Sequence, residues 1–120
     1  ATLEDDRLFF FANGVARFTG LRVPESGDWI IDVVGRGDSA GGVPAQIDIA
    51  LPGAFGDDSQ RVALPTATGV RSARFSAPAG AGPVEVRFVN DGTATNATGA
   101  LEDRNMWIDR VVLSAAPSGG

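Results

Sequence analysis

The chain has no cysteine and no histidine, and its ten basic residues are all arginine, so lysine is missing too. Without cysteine there is no disulfide framework. Without cysteine and histidine the usual ligands of zinc, copper and non-haem iron are gone, so any metal site must be built from oxygen. The same gaps remove the Cys–His and Ser–His–Asp arrangements on which most hydrolytic mechanisms centre. Positive charge is scarce as well: a net charge of -5 disfavours attraction to a phosphate backbone, so nucleic acid is not an expected partner. No apolar run approaches the roughly 20 residues that cross a bilayer, and the acidic start ATLEDDRL is unlike a signal peptide, so no membrane partner is expected.

What remains is 120 residues with 43% hydrophobic content, 16 glycines and 7 prolines. That size suits one domain, and short apolar segments cut by glycine and proline suit strands and tight turns, an all-β fold. Residues 1–115 read as one β-sandwich module, and 116–120 read as the start of a flexible tail joining it covalently to other domains.

Along the chain, LFFFANGVARFTGLRV reads as strand, turn at Asn13-Gly14, strand. PESGD is a turn cluster before WIIDVVGRG, whose β-branched density predicts a well-buried strand opening on Trp29. QIDIALPG alternates, with Ile47 and Ile49 inward and Gln46 and Asp48 outward. GDDSQRVALP, GVRSARFSAP and GPVEVRFVN repeat this period, the last placing Val84, Val86 and Phe88 on one face and Glu85 and Arg87 on the other. NMWIDRVVLSA makes a terminal strand, giving eight or nine short strands in a β-sandwich.

Several motifs tempt. Gly35-Arg36-Gly37 follows a strand as a dinucleotide fingerprint does, but Gly41, Gly42 and Pro44 forbid the helix that must follow. Arg36-Gly37-Asp38 is also an adhesion triplet, read here as a solvated turn. Asp91 and Glu102 stand twelve positions apart, as in an EF-hand, yet the sixth position is Asn96 rather than glycine and the flanks look like strands. The chemistry outlasts that rejection. Asn90, Asp91, Glu102 and Asp103 place hard oxygens at both ends of one loop, which suits either calcium or a solvated acidic turn. Adjacent Glu102 and Asp103 are poor candidates for the separated carboxyls of a glycosidase, and no enzymatic activity is expected. Trp29 is expected in the core; Trp107, alternating with Met106 and Ile108, is a candidate to stack on a ligand's sugar ring.

The block FVNDGTATNATGALEDRNMWIDRVVL, with VPESGDWIIDVVGRGDSAGGVPAQIDIAL before it, resembles the calcium-dependent xylan-binding modules, carbohydrate-binding module families 36 and 60. The resemblance implies a jelly-roll sandwich in which protein-held calcium takes vicinal hydroxyls of xylan or a related polysaccharide without cutting it. It implies Asp103 and Asp91, with Asn90 and Glu102, as the metal set, and a backbone carbonyl from Phe11 as a further ligand. Gly42 and Val43, in the Ala40 to Pro44 loop, would flank the sugar, and Glu4, Asp6 and Asp109 would hold a second, structural calcium. The implied setting is a secreted or cell-surface bacterial protein. The competing expectation is a calcium-stiffened structural or adhesive sandwich that binds no glycan.

Overall fold

The structure, a computed structural model, describes residues 2–10, 14–89, 93–95, 99, 101–103 and 105–117, with 2–10, 93–95 and 101–103 described by their backbone alone. Among the described residues ten strands run β1 (Thr2–Phe10), β2 (Gly14–Phe18), β3 (Gly27–Gly37), β4 (Gln46–Ala50), β5 (Ser59–Ala63), β6 (Gly69–Ala77), β7 (Val84–Phe88), β8 (Thr93–Thr95), β9 (Leu101–Asp103) and β10 (Met106–Ala115). Sheet I has the order β1-β10-β3-β6, sheet II the order β2-β7-β4-β5, and β8-β9 forms a separate ribbon. Every pairing is antiparallel. With β8 and β9 set aside, this is the interleaved strand order of a jelly roll.

The period-two pattern builds the core. In β3 the inward residues Trp29, Ile31 and Val33 are buried, while Ile30, Asp32 and Val34 on the other face are half-buried. Ile47 and Ile49 of β4 and Val84, Val86 and Phe88 of β7 face them from sheet II. Complete burial of one such side chain stabilises the fold by about 1.5–3 kcal/mol. Trp29 joins the core as expected, and its buried indole Nε1–H donates to the Glu25 carbonyl at 2.9 Å, so no polar group is stranded.

Strands β5 and β6 end their respective sheets on the same side of the sandwich and would expose unpaired backbone there. Side chains close that gap: Gln60 Nε2 donates to the Arg74 carbonyl at 2.7 Å, and Arg71 Nε donates to the Ala63 carbonyl at 2.8 Å.

Four local expectations change. The strands flanking Asn13-Gly14 do not pair with each other: β1 lies beside β10 and β2 beside β7, because the chain crosses between sheets there. Strand β3, expected to be well buried, is fully buried on one face and half-buried on the other. Arg36 and Gly37 belong to β3, not to a solvated turn, and Gly37 is buried. Part of the stretch read as a loop before β10 is the β8-β9 ribbon.

Candidate functional site

Jelly-roll topology gathers alternate connections at one end. Strand β3 ends there at Gly37, where an added Cβ would stand 2.6 Å from Ala45 Cβ. At Gly35 a Cβ would strike the Trp107 carbonyl oxygen, so glycine at both positions lets β3 lie tight against its neighbours. The Asp38 amide donates to the Asn105 carbonyl at 2.8 Å and the Gly37 amide to the Pro65 carbonyl at 2.9 Å. The Val89 amide donates to the Gln46 carbonyl at 3.2 Å. These bonds tie the 38–45, 64–68 and 89–105 connections together. Phe10, opposite Met106, and Gly14, opposite Phe88, bring the β1–β2 connection to the same end.

Within 38–45, Ala40 and Val43 exchange two hydrogen bonds of 3.0 Å across Gly41 and Gly42, whose φ of 59° and 75° meet the requirement of a type I′ turn. The expected ligand-flanking residues Gly42 and Val43 therefore lie at the gathered end, with Val43 44% exposed.

Of the expected metal ligands, Asn90, Asp91 and Phe11 lie outside the described residues. Glu102 and Asp103 sit on β9 opposite Ala94 and Thr93, and their side chains are likewise outside the described set. One oxygen near them is described. Asn105 Oδ1, two residues beyond Asp103, is buried and has no hydrogen-bond partner among the described residues. An unpaired buried amide oxygen costs about 1–3 kcal/mol. The sequence sets Asn105 in the Asp103-Arg104-Asn105 block but assigns it no ligand role; its only signal is its place two residues after the acidic pair.

Trp107 is half-buried on β10, opposite Arg36 of β3 and Phe9 of β1. The Arg36 guanidinium carbon lies 3.8 Å from the ring centroid, so a cation covers one face of the ring. The other three expected acids lie on two paired strands, β1 and β10. The pairing of β10 shifts between Ile108 and Arg110, which leaves the half-buried Asp109 in a bulge; Asp6 stands opposite Arg110 and Glu4 opposite Val112. Among the described residues there is no group of three or more acidic side chains able to hold a metal, and no enclosed pocket.

No family model and no curated protein matches the chain. Among solved structures it is similar to the one described as "BiXyn10A CBM1 APO", with a TM-score of 0.54 and 16% identity over 80% of this chain and 57% of that one. The chain thus spans just over half the length of that protein. It is also similar, at a TM-score of 0.46 and 18% identity, to the second N-terminal cellulose-binding domain of Cellulomonas fimi β-1,4-glucanase C, covering 95% of this chain and 78% of that one. A third is the CBM22-1–GH10 portion of Clostridium thermocellum endo-1,4-β-D-xylanase 10B complexed with xylohexaose, with a TM-score of 0.43, 8% identity and coverage of 99% and 27%. What the first of these establishes is a likeness of fold: the chain is an all-β, two-sheet antiparallel sandwich.

Proposed function

We propose that the chain is a non-catalytic, calcium-dependent carbohydrate-binding module for xylan or a related polysaccharide, acting within a longer extracellular bacterial protein. The observation that carries this reading is Asn105 Oδ1, buried and without a hydrogen-bond partner among the described residues, placed where the topology gathers the ends of the 89–105 connection. An oxygen lone pair left without a proton donor suits a cation better than it suits a packed core. Asp103 and Asp91 would hold calcium, with Asn90, Glu102, the Phe11 carbonyl and now Asn105 as further oxygen ligands. Bound calcium would supply exchangeable positions that accept sugar hydroxyls in place of water. Gly42, Val43 and Trp107 would border the sugar, and the fold likeness to the CBM1 module of BiXyn10A supports the same reading.

A second reading, a structural sandwich stiffened by calcium without a glycan, draws on Asp109 in a bulge of β10 and on Asp6 and Glu4 of the paired strand β1. Titration calorimetry with soluble xylan, in calcium and in excess chelator, separates the two. Binding that vanishes in chelator and returns with calcium is expected. Asp103→Ala should abolish it in a folded protein. Asn105→Ala should weaken calcium binding roughly tenfold while leaving the chelated protein at least as stable as before, since a buried group without a partner is removed. A protein that gains melting temperature with calcium yet binds no glycan would overturn the sugar reading in favour of the structural one.

A further inference from the structure

The outer face of sheet II carries an ion-pair array that a calcium loop leaves unexplained. Register aligns Arg87 of β7 between Val15 of β2 and Asp48 of β4, and Asp48 beside Arg61 of β5. The next row aligns Arg17, Glu85, Ala50 and Ser59. Glu85 Oε1 accepts from Arg87 at 2.7 and 3.2 Å, and Oε2 accepts from Arg17 Nε at 2.9 Å. Asp48 accepts two bonds from Arg61, at 2.9 and 3.2 Å.

An outward-facing carboxylate on a sheet is ordinarily solvated, yet Glu85 is only 7% exposed, the one buried charged residue among those described. The guanidiniums that cover it stay open to water: the side chains of Arg17 and Arg61 are 66% and 59% exposed, and that of Arg87 is 37% exposed. Hydrogen bonds from Arg87 hold the Glu85 carboxyl below its usual range against the opposing pull of burial, with Arg17 adding to the effect. Each guanidinium has five N–H donors and here spends at most two on its carboxylate. The carboxylates thus fix the arginines in place while leaving most of their donors without a partner among the described residues, which lowers the ordering cost of binding.

The array holds three guanidiniums and two carboxylates, a positive excess on a chain of net charge -5. Screening within about 8 Å at physiological salt makes that local sign, not the global one, what a ligand meets. Four strands spaced about 4.8 Å apart make an open face roughly 14 Å across, without an enclosed pocket among the described residues, a shape that suits a polymer lying across the strands. Guanidinium forks match carboxylates in two-point contact.

We propose that the outer face of sheet II is a second, calcium-independent glycan site that takes carboxylate-bearing sugar units of an acidic polysaccharide through Arg17, Arg61 and Arg87. It rests on the reading of the chain as a glycan-binding module but not on the calcium loop. The test is an amide chemical-shift titration of the whole chain with trigalacturonate, xylotriose and a short oligonucleotide, each with calcium and with chelator. Trigalacturonate should shift amides of β2, β4, β5 and β7 equally with or without calcium, and should lose roughly tenfold in affinity between about 20 and about 300 mM salt. The double variant Arg17→Gln/Arg61→Gln should lose at least roughly tenfold in that affinity with an unchanged fold, and the paired lysine variant should recover only part of it, since lysine lacks the fork. No shifts on sheet II, undiminished binding by the glutamine variant, or equal binding of the oligonucleotide would overturn the proposal. Calcium-dependent xylan binding that survives in the glutamine variant, or fails while trigalacturonate still binds, separates this site's fate from that of the loop.

Discussion

On the outer face of sheet I, Asp28 accepts hydrogen bonds from the Ser76 hydroxyl and from Arg74, and Asp32 accepts one from Ser72. On the outer face of sheet II, Glu85 lies beneath Arg17 and Arg87. Both Asp28 and Glu85 are held below their ordinary range, Asp28 chiefly by the Ser76 hydroxyl bond and Glu85 chiefly by Arg87. They differ in what surrounds them. Water can replace Ser76 and Arg74 around Asp28 with little loss, whereas the arginine cover leaves Glu85 only a small opening to water. The same pairing of chemical groups is therefore surface decoration on one sheet and part of the architecture on the other.

The largest effect that would test this contrast is on stability. Glu85→Ala should lower it by about 2 kcal/mol, because two guanidiniums lose the carboxylate that orders them; this is less than for a fully interior pair, since both arginines are exposed. Thermal unfolding should show this as a fall of roughly 8 °C. A Tm unchanged by that substitution would break the distinction between the faces.

Acid unfolding gives a smaller but more selective readout. A carboxyl depressed in the folded state contributes stability that is complete above its unfolded pKa, about 4.3 for glutamate, and is lost as pH falls through the lower folded value. Stability of the native chain should therefore decline below about pH 4.3, and Glu85→Gln should flatten that decline. Equal slopes for the two proteins would remove Glu85 from the account. The smallest effect is expected at Asp28, where Asp28→Asn should leave the melting temperature within the scatter of replicate measurements. A clear drop would mean that the Ser76–Asp28–Arg74 group is built in more firmly than its exposure implies.

How much of this was legible follows from what each residue's neighbours are. Ile47 and Ile49 against Gln46 and Asp48 gave β4 directly, because burial on one face imposes a period of two that local order preserves. The alternation of β7 was equally plain, but it placed Glu85 on an exposed face. Arg87, two residues along on the same face of β7, was local; only the register that sets Arg17 beside Glu85 completes the cover over the carboxylate, and register between β2 and β7 is not local information. The β8 strand Thr93–Thr95 was invisible because a run of threonine and alanine carries no hydrophobic alternation. Of the candidate site, the sequence revealed the acidic ends of the loop but not their company. Gly42, Val43 and Asn105 come to one end through the interleaved order of the two sheets, and the Arg36 cover over Trp107 arises from pairing between β3 and β10.

The pairing of β1 with β10 sets Thr2 against Ser114 and Phe10 against Met106, so the first strand enters and the last strand leaves at the end opposite the gathered loops. Tension applied through residues flanking Thr2 and Ser114 would load the hydrogen bonds between those strands one after another, in peeling, rather than all together in shear. Edge strand β1 would then act as a zipper whose closed end lies at the loops: a pull on the chain would open the far end first and reach the loop end last.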